Sequence, residues 1–507
     1  MKLASSSSKW LVLAVLAVAL FMMNLDVTIV NIALPHIMTG LSASLSDVEW
    51  VINAYILVFA VSLITMGRFG DIFGRKRLFI GGLILFTISS FICGLAGNIW
   101  LLVGARALQA FGGAAMMPAT LSLLNVAFKD GQRGQAMGIW GAVSGAASAL
   151  GPIIGGVLVD KFSWGSIFLV NVPFGIIAVV AGILIITEST EPNASRRIDW
   201  PGIAIASIAL LCLTFALVEG QKYGWGSALI LGLFAASLVG FITFVLVEKR
   251  RDPPLIDLSL FRDINFSAGN ALSSLLMFGL IGIIFLLVLF LQIVLGYSAI
   301  KTGLVLLPIS LAVMFVAPLA GRLADSKGVR WMLASGMALT GVAIFLLAHL
   351  SAGTTWQSLV FPLILAGVGM GLIMAPANTV VMASAPVEKS GAASGIMTTT
   401  RQIGALLGVA ILGAVLQSRL VTNITSALNN IPGMSEGVKA AIIAGLSKGG
   451  ATSGMNVTGM PASTQYEMTE MFKSQFAASL NSAMMVAVVF CAVGVFVALL
   501  IKNKKTA

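Results

Sequence analysis

A chain of 507 residues that is 58% hydrophobic and only 10% charged cannot cover a soluble globule of its size with polar surface. The net charge of +11 does not mark a nucleic-acid binder, because Lys and Arg sit in short stretches between long apolar runs, the pattern that orients membrane helices. Cys93, Cys212 and Cys491 lie inside apolar runs without paired or metal-ligand spacing and read as free thiols.

Fourteen apolar segments are long enough to cross a bilayer, which takes roughly 20 residues each. They run approximately over 10–34, 50–67, 78–97, 100–126, 135–158, 167–187 and 201–219, then 226–247, 266–292, 303–320, 331–350, 357–380, 392–416 and 476–501. The first continues to about Pro35, longer than the apolar core of a secretory leader, so it reads as a transmembrane helix. An even number of spans puts both termini on one side. Most of the 30 Lys and Arg residues then share that side, including Arg75-Lys76-Arg77, Lys249-Arg250-Arg251, Lys502, Lys504 and Lys505. This bias makes it the cytoplasmic side. The polar stretch 417–475 falls on the other side. It reads either as a cap over the outer mouth, with a short helix from Ser435-Glu436 to Ile443, or as a linker. Asn423 and Asn456 head glycosylation-type triplets, a spacing common by chance.

The segment after the second span, Gly67-Arg68-Phe69-Gly70-Asp71-Ile72-Phe73-Gly74-Arg75-Lys76-Arg77, returns after the tenth as Gly321-Arg322-Leu323-Ala324-Asp325-Ser326-Lys327-Gly328-Val329-Arg330. Gly, Asp and Gly recur in register. Two six-helix halves with two extra helices between them, spans 7 and 8, account for the separation. The expected fold is all-α and polytopic. It comprises an N-terminal six-helix bundle over 1–198, a two-helix insert and cytoplasmic linker over 199–264, and a C-terminal bundle over 265–507 carrying the outer loop 417–475. Duplicated halves around a site near the bilayer midplane are a transporter architecture. In the repeated loop, Gly67 allows a tight turn and close helix approach. Asp71, and Asp325 in the second copy, can accept hydrogen bonds from a helix N-terminus, and Asp71 can pair with Arg75, latching the cytoplasmic mouth. The plain alternative is a basic topogenic loop with an incidental acid.

These motifs resemble the major facilitator superfamily, most closely its fourteen-span drug:proton antiporter branch. Gly67–Arg77 is similar to the superfamily signature between spans 2 and 3, with Phe69 and Ile72 departing from its usual Leu and Arg. Leu25-Asp26-Val27-Thr28-Ile29-Val30-Asn31-Ile32-Ala33-Leu34-Pro35 resembles the first helix of the branch, and Trp50-Val51-Ile52-Asn53-Ala54-Tyr55 its second. Arg106-Ala107-Leu108-Gln109-Ala110 resembles the buried-Arg motif of span 4, with Ala110 where Gly is usual. Gly138, Gly151, Pro152, Gly155 and Gly156 match the antiporter motif of span 5, with Ala147 replacing one glycine. Phe168 to Pro173 and Arg401-Gln402-Ile403-Gly404 also fit. The resemblance implies the fourteen-helix major facilitator fold, export rather than uptake, and a bacterial cytoplasmic membrane. It also implies a proton gradient in place of any cofactor, and no enzymatic reaction. It makes Gly151, Pro152, Gly155 and Gly156 a hinge and seal for alternating access, with ordinary small-residue packing as the alternative.

Of the 19 acids, Asp26 is the only one deep inside a predicted span. A charge there costs about 2.5–3.5 kcal/mol, so it needs a reason. One reason is proton coupling: burial favours the neutral carboxyl, and a cationic drug competing with the proton would couple the two fluxes. The other is a fixed salt bridge with Arg106, the second intramembrane charge, which would hold the carboxylate charged and oppose the carrier role. Arg106 is then a proton relay or a brace. Arg401 reads as a brace, a gate residue or a snorkelling side chain. A pocket is drawn from Asn24, Asn31, Tyr55, Gln109, Trp140, Phe285, Gln292, Met374 and Asn378, whose aromatic, thioether and amide groups suit varied amphiphiles. Each taken singly reads more readily as packing. His36 and His349 lack the partner ligands of a metal site, and nothing supplies the converging acids or His-rich cluster of an enzyme. The expected activity is proton-coupled efflux of amphipathic, cationic or neutral drugs by alternating access. The partners would be a small-molecule substrate, protons and the lipid bilayer, and the chain would act as a monomer. A dedicated exporter of one antibiotic or metabolite is the alternative. With one coupling acid, exchange of a proton for a monovalent cation is electroneutral.

Overall fold

The computed structural model describes residues 6–128, 133–190, 199–251, 256–327, 329–386, 390–429, 437, 439, 442–443 and 462–502. In chain order, α1 (Ser6–Gly40), α2 (Leu45–Phe73), α3 (Arg75–Gly94), α4 (Ile99–Ala127) and α5 (Arg133–Lys161) precede the short α6 (Ser166–Leu169), which leads into α7 (Asn171–Ile185). Next come α8 (Trp200–Tyr223) and α9 (Ala228–Glu248). Then follow α10 (Ile264–Leu289) with its terminal π turn (Phe290–Val294), α11 (Ala299–Lys327), α12 (Val329–Leu347), α13 (Trp356–Ser384), α14 (Ser390–Asn429) and α15 (Ala462–Leu500). Counting α6 with α7, these give 14 helices long and apolar enough to cross a membrane, one for each predicted span.

Local chemistry sets the ends. At α2 the hydroxyl of Ser44 accepts from the Asp47 amide (3.2 Å), while the Asp47 carboxylate accepts from the Ser44 amide (2.9 Å). This reciprocal cap starts the helix at Leu45, five residues before the predicted span. Asn98, Asp199, Ser227 and Asp263 cap α4, α8, α9 and α10 more simply, their side chains accepting from first-turn amides. The expected loop Gly67–Arg77 is nearly all helix. α2 runs to Phe73, and Gly74 alone, at φ 111°, separates it from α3.

The outer stretch is also more helical than expected. Leu420, Ile424 and Leu428 continue a buried stripe along α14, and Met468, Phe472 and Phe476 do so along α15. Asn423 lies within α14 and donates to the Ser479 hydroxyl of α15 (3.0 Å), so it belongs to a helix contact rather than an open loop. Ser435, Glu436 and Asn456 lie outside the described residues.

In the first six spans α3 packs on α4 and α7, α1 on α5 and α7, and α2 on α4. In the last six α10 packs on α13, α14 and α15, α11 on α13, and α12 on α13 and α15. The broad contacts between these groups are α5 with α11 and α2 with α14. α8 and α9 pair with each other, and α8 lies against both α2 and α14. Outward-facing Leu184, Leu238, Phe361 and Phe496 leave apolar surface suited to lipid. Successive spans reverse direction. One face of the molecule, called the termini face, therefore holds the starts of α1 and α3 and the end of α15, and the far face holds the ends of α5 and α14 with the starts of α2 and α11.

Candidate functional site

The first-helix acid and the fourth-helix base meet inside the N-terminal group. Asp26 of α1 and Arg106 of α4 are 0% and 2% exposed, and Arg106 Nη1 donates to Asp26 Oδ2 at 2.5 Å. Gln109 Nε2, one turn along α4, donates to Asp26 Oδ1 at 2.8 Å, and Asn171 Nδ2 of α7 donates to the same oxygen at 3.1 Å. The Ser90 hydroxyl of α3 accepts from both amides. Arg106 also donates to Gln109 Oε1 (2.6 Å) and to the Val51 carbonyl of α2 (3.4 Å), and its guanidinium lies over the Tyr55 ring at 4.1 Å. Every partner of Asp26 is a donor, which fits an ionised carboxylate. Of the two readings of Asp26, the salt bridge with Arg106 is the one present in this conformation. Asp26 is one end of a buried, hydrogen-bonded ion pair whose network ties five helices together.

A small cavity of about 20 Å³, room for a water molecule, abuts this network. Val27, Val30, Asn31, Ile52, Tyr55, Ile56 and Arg106 line it, together with Ile281 of α10 from the other group. Of the expected pocket residues the structure thus gathers Asn31 and Tyr55 beside Arg106, and places Gln109 in the ion-pair network. The rest are elsewhere. Asn24 is bound to the Leu20 carbonyl (2.9 Å) and the Ser144 hydroxyl of α5 (3.2 Å). Phe285 is fully buried in α10 and offers no surface to a ligand in this conformation. Trp140 is half-buried on α5, and Met374 is exposed on α13. Asn378 accepts a hydrogen bond from Arg401, bracing α13 against α14.

The remaining pocket candidate, Gln292, helps close the far face. Its Nε2 donates to the Ile32 carbonyl of α1 at 2.8 Å, joining the two groups. Beside it α5 meets α11 almost backbone to backbone. A Cβ added at Gly156 would lie 2.5 Å from the Ile300 Cα, and one at Gly303 would collide with the Pro152 carbonyl. Gly151 and Gly155 instead face Thr28 and Ile29 of α1. The small-residue stripe therefore has two sides, one packing within its own group and one across to the other. Asp160 completes the contact: its carboxylate oxygens accept from the amides of Ala299 (3.1 Å) and Ile300 (3.0 Å) at the start of α11.

Comparison with known proteins agrees with this architecture. The sequence profile described as Major Facilitator Superfamily matches residues 16–409. The chain belongs to the major facilitator superfamily. It is 39% identical, over 81% of its length and 76% of the relative's, to a tetracenomycin C resistance and export protein of Streptomyces glaucescens. It is 30% identical, over 99% of its length and 95% of the relative's, to the multidrug transporter protein MdtP of Bacillus subtilis. A crystal structure of a bacterial homologue of the human lysosomal transporter Spinster, inward-facing and unoccupied, superposes with a TM-score of 0.68 at 17% identity, covering 98% of this chain and 97% of that one. The protein is thus a multi-pass membrane transporter.

The latch expected in the repeated loop on the termini face rests on two acids. The side chains of Asp71 and Asp325 lie outside the described residues. The acid seen at the N-terminus of α3 is Glu188, from the segment after α7. It accepts from the amides of Lys76 (2.9 Å) and Arg77 (3.2 Å), while the Arg75 amide donates to the Ser189 carbonyl. Glu188 and Asp160 escaped the sequence reading because each caps a helix distant in the chain. Two further acids are buried near the ends of spans rather than deep within them. Glu49 of α2 is 0% exposed and Glu219 of α8 is 2% exposed. Both lay at or just beyond predicted span ends, and the Ser44–Asp47 cap that draws Glu49 into the helix was the missed signal.

Proposed function

We propose that this transporter exports amphipathic small molecules, cationic or neutral, in exchange for protons, with the termini face in the cytoplasm. The observation that carries the reading is the buried Asp26–Arg106 pair beside a small cavity that Ile281 of the other group also lines. Protonating Asp26 would discharge its bond to Arg106 and free the guanidinium beside the contact between groups. Re-forming the pair would expel the proton. With the far face closed and Asp26 paired, this conformation corresponds to the carrier after proton release, ready to load from the cytoplasm. The basic termini-side stretches support the orientation. The names of the relatives support export of drugs or antibiotics.

The test is proton-driven efflux in everted vesicles with wild type and Asp26→Asn. The expected result is loss of proton-coupled export, with substrate binding retained. Coupled export by the variant at the wild-type rate would remove Asp26 from the mechanism. The relative named for a single antibiotic keeps a second reading open, a dedicated exporter. A panel of unrelated amphiphiles decides between them, since only a multidrug carrier is inhibited competitively by many.

A further inference from the structure

Among the described residues, the ion pair leaves one acid of 0% exposure unused. Glu49 sits on the second turn of α2, and neither Oε1 nor Oε2 accepts a hydrogen bond from a described residue. Its carboxyl lies against the backbone of Gly413 in α14, where an added Cβ would collide with it. Glu49 thus fills the contact between the two six-span groups at the far face. One turn along the same face of α2, Asn53 is also 0% exposed with both side-chain polar atoms unpartnered. One turn beyond Gly413 on α14, the amide nitrogen of Gln417 is buried and unpartnered too. A charged carboxylate in such a place has nothing to hold its charge, whereas the neutral acid has little charge to satisfy.

The ionisable groups around Glu49 come from several helices. From α8, Glu219 accepts from the indole of Trp50 (3.2 Å) and pairs with Lys222 (3.3 Å). Glu219 thus sets a second acid beside the turn of α2 that carries Glu49. α4 presents Arg106, already matched by Asp26. α14 has no ionisable residue between Arg401 and Arg419, α1 brings His36 to this face, and Asp47 on α2 itself is occupied in the cap.

We propose that Glu49 is a proton-binding site of the outer face, distinct from the Asp26–Arg106 pair, and that the two six-span groups close there only when Glu49 carries a proton. The orientation rests on the reading under Proposed function. The proton enters from outside while the face is open and the carboxyl is hydrated. Closure against Gly413 traps it, and opening returns it to the same side, so it is not transported. The closed state binds one proton more than the open state. Acid therefore favours closure, and the closed-to-open ratio changes by up to about tenfold per pH unit.

The experiment measures conformation rather than transport. Spin labels are placed on the full chain at Ser42→Cys and Ser426→Cys, both exposed near the far face, with the three native cysteines replaced by Ala. Distance distributions are recorded in lipid nanodiscs from pH 5 to 8. In wild type the closed population should rise as pH falls. In Glu49→Gln, closure should lose its pH dependence and persist across the range. In Gly413→Ala, the added methyl should favour the open state at every pH. A flat wild-type profile, a wild-type slope in Glu49→Gln, or unchanged closure in Gly413→Ala would each overturn the proposal. The same profile in Asp26→Asn should keep its slope, so failure of the coupling pair and failure of this site are told apart.

Discussion

Replacing Asp160 with Ala removes the acceptors of two amides in the first turn of α11. The interaction is a helix cap whose acid belongs to α5, so its contribution exists only while the two groups touch at the far face. Caps contribute about 1 kcal/mol, and a negative charge at a helix N-terminus adds about 0.3–1 kcal/mol. Because Asp160 is exposed, solvent screening keeps the total near the lower end. A loss of about 1 kcal/mol moves the closed-to-open ratio about fivefold towards open. Asp160→Asn keeps an acceptor without the charge and should lose less than half as much. Spin labels at Lys161→Cys and Ser298→Cys, both exposed beside the contact, would report the two populations. A ratio in Asp160→Ala within twofold of wild type would show the contact to be incidental and refute the assignment of Asp160 to the closing machinery.

Arg106→Gln should destabilise the protein by about 3–5 kcal/mol by stranding Asp26. Reversible unfolding in mixed micelles checks this, and a loss under 1 kcal/mol would mean that water already reaches the carboxylate. Gly156→Ala should impede far-face closure, because its Cβ would lie 2.5 Å from Ile300 Cα; wild-type cross-linking between Lys161→Cys and Ser298→Cys would contradict that. If Asp26 is the only proton carrier, export of a monovalent cation should respond to a pH gradient at about 1.4 kcal/mol per unit and not to membrane potential. A potassium–valinomycin potential that changes accumulation in proteoliposomes would show that more charge moves.

The spans were legible because hydrocarbon imposes one rule, long apolar helices, and leaves few alternatives. Asp26 and Arg106 were legible for the converse reason: a charge inside an apolar run stands out. Their pairing was raised as one alternative, but sequence could not choose it, since that depends on α1 and α4 lying side by side and on Asn171 and Ser90 arriving from other helices. Glu49 was missed through a helix boundary. Read as loop, it was one more solvated acid; drawn into α2 by the Ser44–Asp47 cap, it is buried against another helix. The pocket residues fared worst because each was chosen for its chemistry alone, and the direction of a side chain within a bundle is set by packing partners. Phe285 and Gln292 show the two outcomes, one buried in the core and the other spent on a closing hydrogen bond.

The division of polar contacts has a mechanical meaning. Within the first six spans, the Asp26–Arg106 network links five helices around one short charged bond, and breaking that bond strands a buried charge. Between the two groups, the far face is held by a neutral amide bond at Gln292, an exposed cap at Asp160 and close glycine contacts. Those hydrogen bonds are each worth about 1 kcal/mol and are replaced by water when the face opens. A rigid body joined to another by a weak seal moves as a unit. The equilibrium between open and closed then stays within a few kcal/mol, where proton or substrate binding shifts it by their differential affinity for the two states. Had the ion pair spanned the two groups instead, opening would have exposed or stranded a charge at every cycle. Its confinement to one group lets Asp26 exchange a proton without having to hold the transporter shut.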